Sequence, residues 1–90
     1  MQKHGFRNFL ENCGLTNKGI ASRMSKSNSA EKILGYSLDV AVDTDEMMCQ
    51  SIIKIQPHED PKHNLIQNAL RKYYIFKNGK NFPQLKSYKG

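Results

Sequence analysis

Along residues 64–78, NLIQNALRKYYIFKN, Leu65, Ile66, Ala69, Leu70, Tyr73 and Phe76 fall within one stripe about 140° wide if successive residues turn by about 100°. A stripe of that period buries itself by packing as a helix against other elements, and Asn78-Gly79 supplies a helix stop. The same three-and-four spacing recurs upstream. Phe6, Phe9, Leu10 and Cys13 share a face before Gly14, and Met48, Ser51, Ile52 and Ile55 share one before Pro57. YSLDVAVDTD alternates Leu38, Val40 and Val42 with Asp39, Ala41 and Asp43, but a lone strand has no partner here, so this piece is expected to be a connection. The chain therefore predicts an all-α fold, a small bundle of four to five short helices around one core.

Helix starts are legible from caps. Thr16 or Asn17 opens the second helix and Asp43 or Thr44 the third, because short oxygen-bearing side chains accept from the unpaired amides of a first turn, and the fourth begins near His63 or Asn64. Asp45 and Glu46 suit the positive end of the third helix. The second helix runs to Gly35, and its Ile20, Met24, Ala30 and Leu34 keep one face only if Ser27 lies on it too. Asn28 and Glu31 have capping-box spacing, so a fresh start near residue 28 stays open. Residues 1–80 make one helical domain, and 81–90 form a basic tail in which Phe82 and Leu85 are able to dock.

Charge is segregated. Residues 1–35 carry six Lys/Arg and two acids, residues 36–60 one and six, and residues 61–90 seven and none, within a formal net charge of +6. A basic end attracts polyanions, and an acidic middle either repels them or pairs internally. No apolar run approaches the roughly 18 residues of a membrane span, and MQKHGFRNFLENCG has no signal-peptide pattern, so a cytoplasmic protein is expected. Cys13 and Cys49, each among apolar helical neighbours, are expected to be free, buried thiols.

Phe6 to Leu10 as an FxxFL first helix, Leu15-Thr16 opening a second that ends in EKILG, the SLDVAV connector and NALRKYYIFKNG as a last helix resemble the N-terminal core-binding, SAM-like domain of tyrosine recombinases and phage integrases, over roughly residues 5 to 80. The resemblance implies a bundle seated on duplex DNA by the start of its second helix and the polar side of its last. Position by position, these are Thr16, Asn17 and Lys18, then Asn64, Gln67, Asn68, Arg71 and Lys72. The catalytic domain that follows this module in the family is not among these ninety residues, so no strand transfer is implied, and Tyr73, Tyr74 and Tyr88 are not nucleophiles.

Side-chain chemistry points the same way independently. Arg pairs bidentately with guanine or phosphate, and Asn and Gln match the edge of adenine, while Lys62, Lys72, Lys77, Lys80 and Lys86 are available for phosphates. The competing expectation is a protein-interaction adaptor or small inhibitor that uses the same helix face through an exposed Tyr74 and Ile75 and meets an acidic protein partner. Enzymatic chemistry is not expected. His58 and His63 are five apart with Pro61 between them, the cysteines lack short zinc spacing, and there is no glycine-rich phosphate loop, so neither metal nor cofactor is expected.

Overall fold

A computed structural model describes residues 1–60 and 62–84. Among these residues the chain is all-helical: α1 (Lys3–Asn12), α2 (Asn17–Leu34), α3 (Leu38–Ala41), α4 (Asp45–Ile55), a 3-10 turn at Gln56–His58, and α5 (Leu65–Asn78). The punctuation is chemical. Thr16 Oγ1 accepts from the amide of Gly19 at 3.1 Å and Thr44 Oγ1 from that of Met47 at 3.1 Å, each replacing a partner that the first turn lacks. Gly35 and Gly79 end α2 and α5 at φ of +79° and +72°, where a Cβ would be strained.

α2 is the central helix and touches the other four, most extensively α5. It is continuous from Asn17 to Leu34, because Ser27 is fully buried with its hydroxyl donating to the Arg23 carbonyl at 2.8 Å. That back-bond satisfies the one polar group on the buried face, so the apolar stripe passes through it. Glu31 does not box with Asn28; its carboxylate accepts from the Leu38 amide at 2.9 Å. The SLDVAV piece is a connection with one helical turn in it, started by Ser37 Oγ, which accepts from the Val40 amide at 3.3 Å. This turn buries Leu38, Ala41 and Val42.

The core joins Phe6 and Leu10 of α1 to Ile20, Met24 and Leu34 of α2, Met48, Ile52 and Ile55 of α4, and Leu70 and Tyr73 of α5. Phe6 is its aromatic hub, with ring centroids 5.0 Å from Tyr73 and 5.7 Å from Phe76. Phe82, assigned from sequence to the tail, is buried against Tyr74 with centroids 5.2 Å apart, so the packed domain extends past residue 80. Leu85, Lys86 and Tyr88 lie outside the described residues, as does Pro61. Both cysteines are free, but Cys13 is exposed and Cys49 half-buried rather than both buried. Cys13 is the C-cap of α1, where the chain turns away from the face that Phe6 and Leu10 bury.

Tyr73 also carries a polar contact. Its hydroxyl donates to Asp39 Oδ1 and accepts from the Gln2 amide at 2.8 Å, while the Met1 ammonium lies 3.2 Å from both Asp39 and Glu31. Burial pushes the Asp39 carboxyl up, but the Tyr73 hydrogen bond, the ammonium and Lys77 together hold it below its ordinary 3.8. A carboxyl depressed on folding stabilises the fold above its unfolded pKa and loses that contribution as pH falls through the folded value. The melting temperature is therefore expected to fall as pH drops below about 4, and Asp39→Asn is expected to shrink that acid limb. Thermal melts of both proteins from pH 2 to 7 check this, and equal acid limbs would count against a role for Asp39.

Candidate nucleic-acid interface

With Leu65 set at 0° and 100° per residue, the buried residues Ala69, Tyr73, Leu70 and Tyr74 span about 40° to 180° on α5, and Asn64, Asn68, Gln67 and Arg71 occupy about 200° to 300°. The buried arc is wider than the apolar stripe predicts. Tyr74 is 1% exposed, because Phe82 packs on its ring and its hydroxyl donates to Asp45 Oδ1. Tyr74 is therefore core, a correction to its assignment as an exposed interface residue, and Ile75 is half-buried rather than exposed. Leu65 departs in the other direction. Placed in the core stripe by its spacing, it is 46% exposed, because it stands on the first turn of α5 at the edge of the bundle.

Leu65 lines a groove of about 320 Å³ with Leu15, Gly19, Ser22, Arg23 and Lys26. The four α2 positions 19, 22, 23 and 26 recur at three-and-four spacing, so one stripe of α2 forms one wall. Leu15 closes the end next to the α2 cap, where Thr16, Asn17 and Lys18 are all exposed. None of the residues predicted from sequence lines the groove itself: Thr16, Asn17 and Lys18 lie at the start of α2, and Asn64 and Asn68, both exposed, lie on the outer arc of α5. Gln67 and Lys72 are half-buried at the two edges of that arc. Thr16 spends its oxygen as the α2 cap, so it reaches outward only through its hydroxyl proton.

Arg71 differs from its expected role as an open reader. Its Nη1 donates to the carbonyl oxygens of Phe82 at 2.9 Å and Pro83 at 3.3 Å, and the guanidinium lies 5.8 Å from the Phe82 ring centroid. Burial alone lowers the guanidinium pKa from its ordinary value, and Nη2 is buried without a hydrogen-bond acceptor among the described residues. The residues that sequence reasoning missed are Arg23 and Lys26. Their signal was present in the 19, 22, 23, 26 register, but it ran along a helix judged only by its apolar side.

The acids are largely engaged. Glu31 and Asp39 hold the ammonium, Asp45 accepts from Tyr74, and Glu59 accepts from the backbone amides of Ile66 and Gln67. By contrast, no ion pair among the described residues involves Lys18, Arg23, Lys26, Lys62 or Lys72. Cations unpaired with carboxylates keep their field for a ligand. No group of His, Cys, Asp and Glu among the described residues is arranged to hold a metal ion, and none of the described helices is long and apolar enough to cross a membrane.

The fold is that of a small helical bundle with a basic, partly apolar groove between its two longest helices. Comparison with protein-family models, curated proteins and solved structures finds no match to this chain.

Proposed function

We propose that this protein is a non-enzymatic DNA-binding module that receives duplex DNA along the α2/α5 groove and the polar arc of α5. The observation that carries this is the groove itself: Arg23 and Lys26 face the start of α5 without a carboxylate partner, beside the exposed amides of Asn64 and Asn68. Lysine and arginine neutralise phosphates and release counterions, while asparagine presents a donor and an acceptor to the edge of adenine. Phosphate contacts would set the register and the α5 arc would supply base contacts. The resemblance to the core-binding domain of tyrosine recombinases supports the same two elements. A cytoplasmic setting fits the two free thiols, one of them exposed.

The test is fluorescence anisotropy of a labelled random-sequence duplex across a salt series. Binding is expected near micromolar at about 50 mM salt and to weaken steeply by about 200 mM. An Arg23→Ala, Lys26→Ala double variant is expected to bind about tenfold more weakly at low salt, with a salt slope smaller by about two. Unchanged affinity of that variant, or binding indifferent to salt, would remove the groove from the proposal. No binding of the wild type at about 50 mM would transfer the groove to the alternative, an acidic protein partner, which would then meet Leu65 and Ile75, since Tyr74 is buried.

A further inference from the structure

Arg71 stands within the α5 arc assigned to DNA, about 60° from Asn68 and 40° from Gln67, yet it is occupied by the chain's own backbone. Residues 82–84 form a strap along the edge of α5 opposite the α2 groove. Phe82 anchors it on Tyr74, and the Arg71 guanidinium fastens it through two carbonyl oxygens that share one nitrogen. That fastening uses little of the donor capacity of the group. A guanidinium offers five N–H donors in a planar fork, and here Nη2 is buried with no acceptor among the described residues.

Two neutral carbonyls on one nitrogen are a poorer set of partners for this cation than a phosphate, which brings a full negative charge and accepts on both arms of the fork. Withdrawal of the strap would turn Arg71 outward beside Asn68. We infer that the strap of residues 82–84 is an autoinhibitory latch on the DNA-binding face, which withholds Arg71 until nucleic-acid phosphate displaces it. This rests on the proposed DNA-binding function and adds its regulation. Displacing the strap is a cost that binding must meet, so the latch lowers the affinity while the bound state keeps the same phosphate contacts and the same salt dependence.

The test uses the full chain in two forms. In the first, Phe82→Ser removes the anchor, and duplex affinity at about 100 mM salt is expected to rise about fivefold with an unchanged salt slope, because the wild type releases Arg71 on binding too. The same substitution in an Arg71→Ala background is expected to leave the affinity unchanged, because the withheld cation is gone. A gain that persists without Arg71 would overturn the latch. The second form needs no destabilising change: 4-fluorophenylalanine placed at Phe82 alone is followed by fluorine NMR as duplex is added. Its signal is expected to move to the position of a solvent-exposed ring in step with binding. Binding with an unmoved signal overturns the latch and leaves the DNA-binding proposal standing. Failure of both wild type and Phe82→Ser to bind duplex overturns the two together, whereas binding by Phe82→Ser alone establishes both.

Discussion

Phe6→Ala is expected to cost about 3–5 kcal/mol, the largest effect of any single change considered for this chain. Phe6 has no exposed surface and packs within ring contact of Phe9, Phe76 and Tyr73. Truncation therefore opens a cavity between α1 and α5 that neighbouring rings on rigid helices cannot close. A domain of this length holds a total stability of roughly 5–13 kcal/mol, so the loss takes a large part of it. Phe9, which is only half-buried, serves as the control, and Phe9→Ala should cost clearly less. Urea unfolding followed by far-UV circular dichroism measures both, since the chain has no tryptophan to report. A cost near 1 kcal/mol for Phe6→Ala would mean that α1 is not seated on α5 as described.

The elements that were legible in the sequence are those whose causes are local. Gly14, Gly35 and Gly79 mark helix ends because a positive φ needs no information from elsewhere in the chain, and all three adopt it. Thr16 and Thr44 mark starts because each cap is completed by an amide three residues on. Tyr73 was legible as core because the helical period places it there. Tyr74 was not. Its burial depends on Phe82, eight residues away beyond a helix stop, and on Asp45 of another helix, and neither contact leaves a mark in the periodicity of α5. The same contact explains Arg71, whose chemistry suits nucleic acid while its partners are carbonyls that follow from the docking of Phe82. Leu65 shows the opposite failure: the period assigns it a direction, but the first turn of α5 stands at the rim of the bundle, where that direction opens on a groove. For the candidate site, sequence marked the start of α2 and the polar side of α5 separately. It could not show that Arg23 and Lys26 line the groove between them, because that depends on how the two helices pack.

Glu59→Ala is expected to destabilise the protein by about 2 kcal/mol. α5 begins without a local cap: the Asn64 side chain makes no capping hydrogen bond. The Glu59 carboxylate reaches in from the preceding loop and accepts from the amides of Ile66 and Gln67, two of the donors that a first turn leaves unpaired. Its charge also sits at the positive end of the helix macrodipole. Removing the acid also raises the formal net charge from +6 to about +7, but at 0.15 M salt that long-range repulsion is screened over about 8 Å, while the two hydrogen bonds act at contact. The lost cap therefore accounts for most of the cost. Glu59→Gln keeps an acceptor but loses the charge and one of two equivalent oxygens, so it should recover about half of the loss. Hydrogen exchange separates this account from a diffuse destabilisation: the Ile66 and Gln67 amides should exchange faster in Glu59→Ala than the drop in global stability explains. Because the same first turn carries Leu65 and precedes Asn68, duplex affinity at 0.15 M salt should fall in this variant despite its greater positive charge. If the two amides keep their protection, Glu59 is not the cap of α5; if affinity rises instead, the order of that turn does not govern the α5 side of the groove.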